Sequence, residues 1–211
     1  MRIRHINPWD LAAPAYRRLL SVTYPGFRQL YRMIRAQLQP SMNVLELGCG
    51  PGNISIHVAE ACRHLTATDY AKQMIRQART YNTHPSIDYL QADATNLPFE
   101  ADSFDAAYTV NMLHIVSDPR RVLDEAARVL RPHGRLIAAT FTRDITVRSR
   151  FAAQLAPLVG HSQFFAWTDD TYRQFFADAG WTVRRHATVR SLFQISIVVA
   201  TPAQNLSASK R

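Results

Sequence analysis

The sequence has few cysteines, almost no lysine and no long apolar run, and each shortage closes off a class of protein. Two cysteines in 211 residues, Cys49 and Cys62, cannot build a disulfide framework, and they read as reduced thiols. Residues 1–8 carry positive charge with no apolar stretch behind it that could serve as a signal sequence. No uninterrupted apolar run is long enough to span a bilayer, so the expectation is a soluble, cytoplasmic protein. Disorder is excluded too, because 47% apolar and 19% charged residues make a globular balance. The length suits one α/β domain and falls short of two.

Acids are outnumbered: 25 Lys and Arg stand against 16 Asp and Glu, a formal charge of +9. Such an excess suggests a polyanionic partner, either nucleic acid or an anionic membrane surface. The bases are nearly all arginine and spread through the chain, so a composition bias is the simpler reading. One segment keeps a peripheral membrane contact in play. Residues 1–40 hold Arg2, Arg4, Arg17, Arg18, Arg28, Arg32 and Arg35 against the single acid Asp10.

Periodicity gives the organisation. Phe27, Leu30, Tyr31, Ile34 and Leu38 recur at helical spacing, with Pro25 placed to begin the helix and Pro40 to end it. From residue 41 the pattern alternates between strands and helices, the sign of βαβ units and a parallel sheet. Strands are predicted over 44–47, 64–68, 87–91, 104–110 and 135–141, and helices over 53–62, 71–81 and 119–130. Residues 131–134 break the last of these helices. An irregular stretch, 142–166, precedes a helix capped by Thr168 or Asp169 and ended by Gly180, then β-rich runs 181–185 and 192–201. The expected layout is a single domain over 1–211: a helical cap at 1–40, a ligand-binding core at 41–141, an acceptor-side segment with closing strands at 142–201, and a flexible tail at 202–211.

The chemistry centres on Glu46-Leu47-Gly48-Cys49-Gly50-Pro51-Gly52, between the first strand and its helix. Glycines there let the backbone turn sharply and lie against a ligand. Asp69 ends the next strand, at the distance where such folds hydrogen-bond a ribose. A dinucleotide fingerprint wants a third glycine where this chain has Asn53, and the Gly-Lys-Ser or Gly-Lys-Thr triplet of a phosphate loop is absent. Glu46 would repel a pyrophosphate and favour a ligand carrying positive groups, such as the sulfonium and ammonium of S-adenosylmethionine.

On these residues the chain resembles the class I S-adenosylmethionine-dependent methyltransferases, of the group that includes the ubiquinone and menaquinone methyltransferases. The resemblance runs from Val44 to Phe141 through the glycine turn, Asp69, Ala92-Asp93-Ala94, Phe104-Asp105, Leu113-His114 and Arg128-Val129-Leu130-Arg131-Pro132-His133-Gly134. His133 departs from it, since the group usually has glycine there. The resemblance implies an α/β Rossmann-like three-layer sandwich with a seven-stranded, mostly parallel sheet and an antiparallel last strand. It implies S-adenosylmethionine as cofactor, S-adenosylhomocysteine as product, no metal, and a small-molecule acceptor. Gly48, Gly50 and Gly52, with Cys49 filling the turn, would line the methionine part, and Glu46 would help hold its amino group. Asp69 would take the ribose hydroxyls, Tyr70 and Met74 would cover the adenine, and Asp93 and the Ala94 N–H would read its edge. Asn111 would approach the methyl group.

Methyl transfer from a sulfonium needs alignment and exclusion of water more than a dedicated nucleophile. If the acceptor must lose a proton, His114 is the best-placed base, with a structural contact as the competing reading. Tyr16, Tyr24, Phe141, Phe165 and Trp167 are the expected acceptor pocket, with Trp9, Phe27 and Phe164 in the same two segments, since aromatic side chains suit a flat or greasy molecule, though they suit a core equally. Asn111-Met112-Leu113-His114 lacks the Pro-Pro-aromatic signature of enzymes that methylate base amino groups, which argues against nucleic acid. Phospholipid N-methylation, an NAD-dependent oxidoreductase and a non-catalytic cofactor-binding protein are the alternatives.

Overall fold

Each strand of the sheet is a short run of apolar and β-branched residues, the composition of strands buried on both faces. The computed structural model describes residues 9–10, 13, 27–142, 167–190 and 194–203. Helix α1 (Phe27–Arg35) buries Phe27, Leu30 and Ile34. Then come β1 (Asn43–Leu47), α2 (Ser55–Val58) with a 3-10 turn (Ala59–Ala61), β2 (His64–Asp69), α3 (Lys72–Tyr81), β3 (Ile87–Gln91) and β4 (Phe104–Val110). The chain continues through α4 (Pro119–Val129), β5 (Leu130–Thr142), α5 (Asp169–Asp178), β6 (Trp181–Arg190) and β7 (Gln194–Pro202).

The sheet order is β3-β2-β1-β4-β5-β7-β6. Strands β1 to β5 pair in parallel, whereas β7 runs antiparallel to both β5 and β6. Because β2 and β4 flank β1 on opposite sides, the chain reverses direction across the sheet at β1, and a crevice opens at the carboxyl ends of these strands. Neighbouring residues of β1 serve opposite layers. Val44 joins Ile34, Leu65 and Tyr108 on one face, and Leu45 joins Leu123, Leu136, Tyr172 and Phe176 on the other. No helix among the described residues is long and apolar enough to cross a membrane.

Two elements depart from the sequence pattern. The helix expected over 53–62 shrinks to α2 and its 3-10 turn, since Ile54, Ile56 and Val58 are β-branched and lower helix propensity. Strand β5 begins at Leu130, before the expected break. Leu130 pairs with Phe104 and Arg135 with Ala106, so residues 131–134 are absorbed as a bulge in the ladder. His133 takes a φ of 69° there, a backbone region that glycine occupies without strain.

Two contacts brace the loops at the crevice. Glu125 of α4, 4% exposed, accepts the Leu97 N–H at 2.8 Å and two bonds from Arg128, and this guanidinium holds its carboxyl below the usual range. Arg128 also donates to the Leu97 and Phe99 carbonyls, so one ion pair pins the segment after β3. Helix α3 has no side-chain cap of its own, and Asp10 supplies one from afar by accepting the Gln73 N–H at 2.8 Å.

Candidate active site

The glycine turn closes on the end of β2. Gly48 and Cys49 both donate to the Thr68 carbonyl at 2.8 Å, and Gly50 donates to Asp69 Oδ2 at 2.8 Å. Gly48, Gly50 and Gly52 have φ of 74°, 53° and 79°, so the bend depends on residues without a Cβ. A Cβ on Gly48 would stand 2.6 Å from Met112 Cγ, and one on Gly52 would stand 2.7 Å from Asn82 Nδ2 and 2.8 Å from the Tyr89 hydroxyl. Asn82, just past the end of α3, donates to the Pro51 carbonyl at 2.7 Å and fixes the turn from below.

Beneath the turn lies a buried polar cluster. The Glu46 carboxyl, 2% exposed, accepts from Ser55 Oγ at 2.5 Å, while Thr68 Oγ1 donates to the Glu46 carbonyl at 2.7 Å. Burial pushes this carboxyl from 4.5 up to about 7, against the pull of the Ser55 and Tyr108 hydroxyls. Burial also drives the Cys49 thiol well above its ordinary range, which disfavours the thiolate form near neutrality.

Asp69 ends β2 with both oxygens engaged: Oδ1 accepts from the Ala71 N–H at 2.8 Å, and Oδ2 from Gly50. Burial raises its pKa, with the two N–H donors pulling the other way. A carboxylate offers about four lone-pair sites, so room remains for two hydroxyl donors. Asp93 resembles it: Thr95 donates to Oδ1 from both its N–H and its hydroxyl, at 2.8 and 2.7 Å, and Oδ2 carries no hydrogen bond among the described residues. Asn111 has a φ of 55°, and its side-chain oxygen accepts the Phe141 N–H at 3.2 Å, tying β4 to β5 at the crevice.

One cleft of about 920 Å³ joins these parts. Of the residues predicted from sequence, Glu46, Gly48, Cys49, Gly50, Asp69, Tyr70, Met74, Asp93, Ala94 and Asn111 line it. Gly52 stands behind the turn against Asn82 and Tyr89. His114 does not line the cleft; it is 3% exposed with Nδ1 paired to Thr140 Oγ1 at 2.8 Å. Phe141 and Trp167, expected in the acceptor pocket, are also absent from this lining. Phe141 pairs with Ile195 in the β5–β7 ladder and turns into the core, and Trp167 packs on Tyr172 and Phe175 of α5. Tyr16, Tyr24 and Phe165 lie outside the described residues. Trp9 and Phe27, also expected on the acceptor side, do line the cleft, and Phe164 lies outside the described residues; sequence reasoning missed the rest of that wall, namely Arg28 and Tyr31 of α1 with Asn53, Ile54, Ile56 and His57 around α2. For Tyr31 the available signal was that it shares a helix face with Phe27, four residues away.

The donor set decides what fits. Acceptor oxygens of Asp69 and Asp93 face the cleft with a sharply bent, lysine-free glycine turn and the buried Glu46. Such a set suits a nucleoside with free hydroxyls and a cationic tail, and it repels a pyrophosphate.

Comparison with known proteins agrees. The family described as "Methyltransferase domain" matches residues 45–138. The demethylmenaquinone methyltransferase of Paenarthrobacter aurescens (strain TC1) is 30% identical over 196 residues, covering 82% of this chain and 77% of that protein. The ubiquinone biosynthesis O-methyltransferase of Xylella fastidiosa (strain 9a5c) is 34% identical over 127 residues, 56% of this chain and 52% of that one. Among solved structures, the magnesium protoporphyrin IX methyltransferase of Synechocystis PCC 6803 with bound SAH shares the fold. Its TM-score is 0.67 at 18% identity, with 84% of each chain covered. The chain therefore belongs to the class I S-adenosylmethionine-dependent methyltransferases and is an enzyme that transfers methyl groups.

Proposed function

We propose that this enzyme methylates a small, flat aromatic or hydrophobic acceptor of quinone-related type. The observation that carries the reading is the continuity of the cleft, which runs from the acids after β2 and β3, past the glycine turn, onto the rings of Phe27 and Tyr31. Its volume of about 920 Å³ lies near the top of the range for small-molecule sites, about 300–1,000 Å³, and suits two ligands side by side. The names of the relatives from P. aurescens and X. fastidiosa point to quinone acceptors.

S-adenosylmethionine supplies a methyl group already activated as a sulfonium. The chain's part is to bind, align and keep out water. In this reading the Gly48 and Gly50 backbone runs along the methionyl group, with Gly52 setting the bend. Glu46 meets the ammonium, directly or through water. Asp69 accepts the ribose hydroxyls with the lone pairs its two backbone donors leave. Met74, 2% exposed, and Tyr70, 63% exposed, close on the adenine from the inner and outer sides, and Asp93 Oδ2 with the Ala94 N–H reads its edge. Asn111 holds the strand ends beside the departing methyl group. His114, with Nδ1 tied to Thr140, braces the segment after β4 against β5 and exchanges no proton with the acceptor.

The test is transfer of radiolabelled methyl from S-adenosylmethionine into separate pools of hydroquinones and phenols, phospholipid vesicles and RNA. Label is expected in the hydroquinone and phenol pool. Label confined to phospholipid or RNA overturns the assignment.

A further inference from the structure

Charge changes sign along the cleft. Its acids, Asp69 at the end of β2 and Asp93 just past β3, stand on one side, whereas Arg28, Tyr31 and His57 line it from α1 and α2. The rings form a platform: Tyr31 and His57 stack with centroids 4.5 Å apart at 17°, and Phe27 continues the stack at 6.3 Å and 9°. Arg28 stands beside Tyr31, where its charge acts on the phenol. It makes no hydrogen bond or ion pair among the described residues, and no acid of the cleft is spent on it. Its neighbour on the same helix differs. Arg35 pairs with Glu60 at 3.1 Å and donates to the His57 carbonyl at 3.3 Å, and so holds α1 and the stack in place.

An aromatic wall with an unspent guanidinium at its edge recognises a particular kind of molecule. The rings take a flat face, and the planar fork of donors takes an oxyanion in its plane. A neutral acceptor would leave that guanidinium unused and would gain only stacking. We infer that Arg28, with the Tyr31–His57 pair, forms an acceptor subsite that selects a flat molecule bearing an acidic oxygen, a carboxylate or a phenolate. The inference rests on the aromatic-acceptor reading above and narrows it.

The same guanidinium could instead meet the carboxylate of the cofactor's methionyl group, so the experiment separates the two sources. Calorimetry on the protein saturated with S-adenosylhomocysteine compares 1-hydroxy-2-naphthoate with its methyl ester, which has the same rings without the carboxylate. A charge-assisted contact of this kind makes the acid bind about 10-fold or more tightly than the ester. R28Q is expected to bring the two ligands to equal affinity, R28K to restore part of the preference, and both to bind S-adenosylhomocysteine as the wild type does. Y31L is expected to weaken acid and ester alike and to leave their ratio unchanged, which marks the platform apart from the charge. A wild type that binds both equally overturns the inference and leaves the aromatic reading standing. So does an R28Q variant that keeps the full preference, or one that loses affinity for S-adenosylhomocysteine. If neither naphthalene binds, the inference and the aromatic reading fall together.

Discussion

Replacing Glu46 by glutamine removes a carboxyl that folding carries out of water beneath the glycine turn. In the folded chain this group titrates at about 7, against 4.5 when exposed. Between those values the folded state keeps a proton that the unfolded state has lost. Stability of the ligand-free protein therefore falls as pH rises from 4.5 to about 7, and levels off above it. At about 1.4 kcal/mol for each pKa unit, the displacement amounts to roughly 3 kcal/mol. For a chain of this size that corresponds to roughly 6–12 °C in Tm. Urea unfolding of wild type and E46Q across pH 4.5 to 8 reads the effect directly. Any general cost of the substitution, including the changed bond to Ser55, enters at every pH and cancels in the comparison. Wild type should lose about 3 kcal/mol relative to E46Q over this range. Parallel pH profiles for the two proteins would refute the reasoning. The same carboxyl ties stability to ligand. A cationic cofactor favours its ionised form, so binding S-adenosylmethionine near pH 6 should release protons from wild type and fewer from E46Q, as calorimetry in buffers of different ionisation enthalpy would register.

Two more outcomes follow from the geometry. Asp69→Asn should lower affinity for S-adenosylhomocysteine by about 100-fold, because charge-assisted bonds to two hydroxyls weaken together, and unchanged affinity in calorimetry rejects the ribose assignment. His114→Gln should leave turnover within about threefold of wild type and lose about 1–2 kcal/mol of stability as its buried bond to Thr140 is disturbed, whereas turnover slowed by about 100-fold or more would restore the histidine as a base.

Legibility followed chemical punctuation. The first four strands lie within a residue of their expected bounds because the glycine turn or a polar residue closes each apolar run: Gly48 after β1, Asp69 at the end of β2, Asp93 just past β3, Asn111 after β4. Where tertiary structure overrode a local signal, the pattern misled. Residues 131–134 read as a turn, yet pairing between Leu130 and Phe104 draws them into the β5 ladder. The cofactor side of the site was legible because its residues cluster at strand ends and one turn. The opposite wall was not. Arg28, Tyr31 and His57 meet only because α1 packs across α2, and no spacing in the chain announces that packing. Aromatic content pointed to Trp9 and Phe27, which line the cleft, and equally to Phe141 and Trp167, whose rings the core claims.

Asp69 grips its own chain with the atoms through which it would greet a sugar. A knock-out at this position is therefore a poor negative control for methyl transfer, since a dead enzyme could have lost its ligand or the shape of its turn. Asp93, whose side-chain oxygens bond within their own loop among the described residues, offers the cleaner cut: D93N should spare the bend and report on recognition alone.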